Sequence, residues 1–257
     1  MKIVVKVGTS TLAHATGRMN IRHVEKLVKV LSDLKNEGHD IILVSSGAIG
    51  MGVGKLGLTS RPSDMATKQA AAAVGQCELM YTYDKLFSEY GHTVAQILLT
   101  GEDIKIDERR ENFENTLSRL IELHAVPIIN ENDTVETQEI AVGDNDTLSA
   151  VVACSAEADL LILLTDIDGL YTGNPREDKN AKLIPLVEDI TPEIEALGGN
   201  RGSALGTGGM VTKIKAAKIA TEAGIDMIIA LGSKPSILYD IMQGKSVGTL
   251  FKGKKVL

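Results

Sequence analysis

The chain has 257 residues, 44% apolar, 24% charged and 3% aromatic, the balance of a soluble globular protein large enough for a substantial core. Its 27 basic and 34 acidic residues leave a formal charge of −7, and it has no tryptophan and three phenylalanines. A general field that attracts polyanions and a surface that stacks nucleic-acid bases are both excluded, so no nucleic-acid partner is expected.

Cys77 and Cys154 stand far apart and match no metal spacing. They read as small buried apolar residues of a reduced, cytoplasmic protein. The first apolar stretch, residues 3–7, is too short for a secretory signal. The longest later run, residues 160–164, falls far below the roughly 20 residues a bilayer requires, so no membrane partner is expected.

Residues 3–7 predict a short buried strand. Asn20 caps a helix whose apolar positions Ile21, Val24, Leu27, Val28, Leu31 and Leu34 keep the 3.6 period, and Gly38 stops it. Residues 41–45 predict a second strand, followed by a glycine-rich stretch over 47–57. Asp64 opens an alanine-rich helix to about Tyr90, with Gly75 as its weak point. Strands are expected at 93–99 and 126–130, with a helix over 107–124 between them. Residues 131–143 form an excursion whose alternation suits a small hairpin. A helix runs from Asp144 to about Ala158, a strand over 160–165, and loops with short pieces over 166–206. A helix over 210–224, a strand over 226–231, a short helix over 236–242 and an edge hairpin from 248–251 and 255–257 complete the chain. Apolar strands alternating with helices argue for an α/β protein: a mainly parallel sheet covered on both faces. No linker separates independent domains, so residues 1–257 are expected to form a single domain, with its weakest lobe boundary near 166–175.

In open α/β sheets ligands bind beyond the carboxyl ends of the strands, and several of these ends carry unusual residues. Lys6 lies inside a buried strand and runs into Gly8-Thr9-Ser10, a turn rich in N–H groups and hydroxyls that suits an anion. An edge lysine snorkelling to water is the plain alternative. Ser45-Ser46-Gly47-Ala48 offers close backbone approach, or only a flexible loop. Within that region Gly52-Val-Gly54-Lys-Leu-Gly57 mimics a dinucleotide fingerprint, but its first glycine is displaced from the strand end. Asn130 and Asp133 leave the fourth strand, and Asp144, Asn145 and Asp146 open the next helix, where amides could hold an anion and aspartates an amine; a solvated loop is the plain alternative. Thr165-Asp166-Ile167-Asp168-Gly169 follows the fifth strand and also fits an Asp-x-Asp phosphatase, although Leu170 departs from that pattern. Gly206-Thr-Gly-Gly-Met210 opens a helix carrying Lys213, the physical form of a phosphate cradle, or only a structural glycine turn with a solvent-facing lysine.

Together these strings, with Lys68-Gln-Ala-Ala-Ala-Ala-Val-Gly-Gln76, resemble the amino-acid kinase superfamily and, within it, the glutamate 5-kinase (gamma-glutamyl kinase) family. The strings follow family order over residues 5–213. The resemblance implies an α/β/α three-layer sandwich around an open, mainly parallel sheet of about eight strands. A lobe over about 1–165 would bind the amino acid and a lobe over about 166–257 would bind ATP. It implies ATP- and Mg2+-dependent phosphorylation of the L-glutamate side-chain carboxylate to L-glutamyl 5-phosphate, the first step of proline biosynthesis. It also implies a homo-oligomer and feedback inhibition by proline.

Carried over by position, Lys6 and Lys213 resemble the catalytic lysines, and Asp146 the carboxylate that holds them. Ser46, Asp133 and Asn145, with Asp144 nearby, resemble glutamate contacts. Lys6, Gly8, Thr165 and Asp166, with Thr207, Gly208, Gly209, Met210, Val211, Thr212 and Lys213, resemble ATP contacts. No protein metal ligands are expected. Many bacterial members carry a C-terminal PUA domain; this sequence reads as a kinase domain alone, ending at Leu257.

Overall fold

The computed structural model describes residues 1–14, 16, 18–60, 62–135, 144–175, 177–199 and 209–254. The chain begins with β1 (Lys2–Val7), α1 (Thr9–Leu12), α2 (Ile21–Asn36), β2 (Asp40–Ser45), α3 (Ala48–Lys55) and α4 (Met65–Ser88). It continues through β3 (Val94–Leu99), α5 (Gly101–Lys105), α6 (Asp107–Glu122), β4 (Val126–Glu131), α7 (Asn145–Ser155) and β5 (Leu160–Thr165). Short pieces follow: β6 (Leu170–Tyr171), β7 (Leu183–Ile184), β8 (Leu186–Val187) and α8 (Pro192–Ala196). The chain then forms α9 (Met210–Glu222), β9 (Asp226–Leu231), α10 (Ile237–Met242) and β10 (Thr249–Phe251).

Eight strands form one sheet in the order β3-β4-β2-β1-β5-β9-β10-β8. All its pairings are parallel except β9 with β10. β1 sits at the centre, with β2 and β5 both parallel to it, so the chain leaves β1 toward one side and later returns on the other. That reversal opens a crevice at the carboxyl end of β1.

The pleat divides the core in two. Ile3, Val5 and Val7 face one layer, packed with Leu27 and Leu31 of α2 and Leu79 and Tyr83 of α4. Val4 faces the other, with Phe113 of α6, Leu148 of α7 and Ile214 of α9. Side chains alternate along a strand, so Lys6 shares the Val4 face and is directed toward α7 and α9. Helices on both faces make the three-layer sandwich expected from the sequence. Among the described residues no helix is long and apolar enough to cross a membrane.

Several local expectations need correction. The glycine-rich stretch after β2 is the helix α3, not a loop, and α4 runs unbroken through Gly75. The reason is a close crossing of the two helices. A Cβ on Gly52 would stand 1.8 Å from the Ala71 carbonyl oxygen, and one on Gly75 would stand 1.7 Å from that of Ala48. These glycines serve backbone-to-backbone packing rather than a ligand. Residues 248–251 do not form an edge hairpin: β10 lies inside the sheet between β9 and β8, and residues 255–257 are outside the described set. The hairpin expected near 135–142 falls largely on residues 136–143, also outside it. Cys77 is exposed rather than buried, and Cys154 is half-buried. The short helix α5 is an element the sequence reading does not predict; Thr100 and Asp103 close its start with a reciprocal capping box.

Candidate active site

Lys6 reaches the end of the central strand with its ammonium beside the Gly8 turn, 3.6 Å from where a Gly8 Cβ would stand. Its Nζ lies 2.7 Å from Asp146 Oδ1. Lys213, from the first turn of α9, places its Nζ 3.1 Å from Asp146 Oδ2. All three residues are buried. One carboxylate therefore holds two ammonium groups that come from opposite ends of the sequence. The packing that permits this is small: Ala150 and Ala153 of α7 and Ala216, Ala217 and Ala220 of α9 are buried in the same core, which lets the two helices approach closely. The Thr212 hydroxyl lies 2.8 Å from Asp146 Oδ2 and 2.8 Å from the Gly209 carbonyl oxygen, one proton serving two acceptors.

Burial alone pushes the Asp146 carboxyl up. The ammonium groups of Lys6 and Lys213 outweigh that and hold its pKa down at about 2. Asp146 is therefore ionised, and the triad carries one net positive charge toward the crevice.

Beside it stands a chain of side-chain amides. Gln76 Oε1 accepts from Asn130 Nδ2 at 3.0 Å, and Asn130 Oδ1 accepts from Asn145 Nδ2 at 3.0 Å. The same Asn145 nitrogen donates to Ser46 Oγ at 2.7 Å. Ser46 sits where β2 turns into α3; the turn needs Gly47 at φ 108°, in the left-handed region that glycine adopts without strain. The neighbouring Ser45 hydroxyl donates to the Ser46 carbonyl at 3.2 Å and lies 2.9 Å from the buried Tyr83 hydroxyl of α4. Because the Ser45 proton goes to that carbonyl, the Tyr83 hydroxyl is the donor of the pair, and desolvation raises its pKa.

Asp144 caps α7: its Oδ1 accepts from the Thr147 amide at 2.8 Å. Burial raises its pKa, and the neighbouring Asp146 charge adds to the rise. Asp133 lies half-buried in the turn after β4. On the other side of the crevice the buried Thr165 hydroxyl donates to Asp166 Oδ1 at 3.2 Å. Gly209 is the N-cap of α9 with no side-chain cap, and Met210 and Val211 follow it. Thr207 and Gly208 lie outside the described residues.

The structure thus brings Lys6, Asp146, Thr212 and Lys213 into one cluster and joins Ser46 to Asn145. Gln76, Asn130 and Tyr83 complete the hydrogen-bond network; the sequence assigns none of the three a contact with substrate or ATP. Asn130 and Gln76 had a visible signal, being polar residues at an apolar strand end and on an alanine-rich helix. Tyr83 had none, since an aromatic at helical spacing reads as core. Among the described residues no group of three His, Cys, Asp or Glu side chains is placed to hold a metal.

Residues 1–231 match the amino acid kinase family. The chain is 56% identical over 253 residues to the glutamate 5-kinase of Clostridium tetani, covering 98% of this chain and 95% of that one. It is 52% identical over 258 residues to that of Listeria monocytogenes, covering 99% and 94%. Among solved structures it resembles the carbamate kinase from Giardia lamblia bound to AMP-PNP, with TM-score 0.70, 15% identity and 98% of each chain covered. It also resembles the T. acidophilum isopentenyl phosphate kinase, with TM-score 0.69, 17% identity, and 98% and 100% covered. These two likenesses speak for the fold alone. With more than half of its residues shared along nearly the whole of the curated relatives, the chain belongs to the amino acid kinase family and, within it, to the glutamate 5-kinases.

Proposed function

We propose that the chain transfers the γ-phosphoryl group of ATP to the side-chain carboxylate of L-glutamate, releasing L-glutamyl 5-phosphate and ADP, the first step of proline biosynthesis. The observation that carries this reading is the pair of buried lysines on one ionised carboxylate, beside an amide network at the same strand ends.

The nucleophile is a carboxylate, ionised at neutral pH, so no general base is required. Asp146 is unsuited to that task, since both its oxygens face ammonium groups and its pKa is about 2. The obstacle is repulsion: two like charges about 4 Å apart oppose each other by about 4 kcal/mol at an effective dielectric near 20. Lys6 and Lys213 offset this as the bond from the glutamate oxygen to phosphorus forms and the bond to the β–γ bridging oxygen breaks. Lys6 faces the transferred group and Lys213 the leaving β-phosphate. Asp146 is a positioning residue that keeps both ammonium groups convergent. The amides at Gly209, Met210 and Val211, at a helix end with no side-chain cap, would hold phosphate oxygens, with Thr207, Gly208, Thr165 and Asp166 completing the ATP side.

The residue set fits Mg2+ as a cation that enters on the nucleotide, because magnesium keeps most of its waters and is usually held by phosphates plus one or two carboxylates. When bound it neutralises phosphate charge. Ser46, Asp133 and Asn145, with Asp144 shaping the helix end, form the glutamate side. The lobe division near residues 165–166 separates that side from the ATP side.

Net charge and the family support a cytoplasmic protein with small-molecule partners and no nucleic acid. The family likewise supports a homo-oligomer inhibited by proline.

The test is hydroxamate trapping of the acyl phosphate with ATP and Mg2+ across a panel of amino acids. Glutamate should exceed aspartate and N-acetylglutamate. ATP-independent phosphate release lost on Asp166 substitution would point instead to an Asp-x-Asp phosphatase.

A further inference from the structure

Gln76 lies on α4, in the helical layer shared with α2 and opposite α7 and α9, and has no place in the reaction as described. It is nevertheless buried, at 7% exposure, on a helix whose other buried positions are mostly apolar. Its Oε1 is used by Asn130, while its Nε2 is buried with no partner among the described residues. A half-satisfied buried amide costs stability that an apolar side chain of the same length would avoid. What the fold gains is an acceptor at a chosen place.

That acceptor decides an orientation. A terminal amide fits its cavity almost equally well after a half turn, and only its neighbours choose between the two. Asn130 is 2% exposed, and its Nδ2 is drawn to Gln76 Oε1. Its Oδ1 is thereby turned to Asn145 Nδ2, which also reaches Ser46 Oγ.

We propose that Gln76 is a positioning residue for the amino-acid side: through Asn130 it fixes the Asn145 amide that faces Ser46. This rests on the reading of Ser46 and Asn145 as glutamate contacts.

The experiment is steady-state kinetics and thermal unfolding of Gln76→Met, Gln76→Glu and Asn130→Ala, alone and with Gln76→Met. Gln76→Met keeps the length but loses the acceptor. It should raise the glutamate KM about tenfold, the worth of one hydrogen bond. The ATP KM should stay within about twofold, and Tm should fall modestly, because methionine leaves the buried Asn130 Nδ2 without its acceptor. Gln76→Glu keeps an acceptor and should raise the glutamate KM less than Gln76→Met. In the Asn130→Ala background, adding Gln76→Met should change the glutamate KM by less than about twofold, since the two act as one unit.

An unchanged glutamate KM in Gln76→Met, a full additive loss in the double variant, or a lowered Tm with both KM values raised would overturn the proposal. Absence of glutamate-dependent ADP release in the unmodified protein would instead remove the functional reading on which it stands.

Discussion

Lys6 and Lys213, one in the first strand and the other in the last long helix, approach the two oxygens of a single carboxylate at 2.7 and 3.1 Å. The carboxylate belongs to Asp146, buried at the start of α7. Two like charges would not share a buried site without it.

Removing that carboxylate should therefore be costly. Asp146→Asn leaves two ammonium groups buried without counter-charge, a loss on the order of 3 kcal/mol. Urea unfolding checks this. A variant as stable as the parent would show that the lysines find another partner.

The same ion cluster dictates an acid limit. The Asp146 pKa falls from its ordinary 3.8 in the unfolded chain to about 2 in the folded one. A depressed carboxylate contributes stability above the unfolded value and loses it as pH falls through the folded one. The contribution, about 2 kcal/mol, is thus complete above roughly pH 5 and disappears between about pH 4 and 2. Stability measured against pH should show this segment in the parent and lack it in Asp146→Asn. Identical acid profiles would count against it.

The α3–α4 crossing makes a different demand. Gly75→Ala drives a methyl group into the Ala48 carbonyl, where the ideal Cβ stands 1.7 Å from oxygen. Overpacking of that severity costs about 3 kcal/mol or more, and because α3 begins beside Ser46 the glutamate KM should rise as well. A variant with unchanged Tm would mean that the helices separate freely.

What was legible in the sequence follows from what each residue type has to do. Lys6 stands out because a charge within an apolar strand needs a partner, and the pleat then assigns it to the Val4 face. Asp146 is legible as part of a polar helix start, but its pairing with both lysines depends on a contact between α7 and α9 that no local pattern encodes. Gly52 misleads because close approach to a ligand and close approach to a neighbouring helix demand the same missing side chain, and Gly75 because a glycine inside a helix reads as a break until the α3 contact is seen. The place of β10 inside the sheet is invisible for a related reason: three residues carry no periodicity, and their partners β8 and β9 are set by tertiary packing.

On the amino-acid side, Asp133→Ala should raise the glutamate KM while leaving kcat little changed, because it removes binding felt equally in ground and transition states. Initial-rate kinetics at saturating ATP separates the two. A collapse of kcat with unaltered glutamate affinity would move Asp133 to the chemical step.

The most direct measurement is the single-turnover rate of Lys6→Ala and Lys213→Ala, each confirmed folded, with ATP and glutamate saturating. Each should fall by at least about 10²-fold, the cost of losing one donor to the transferring group. Near-parental turnover in either folded variant would contradict the placing of one lysine on the transferred group and the other on the leaving phosphate.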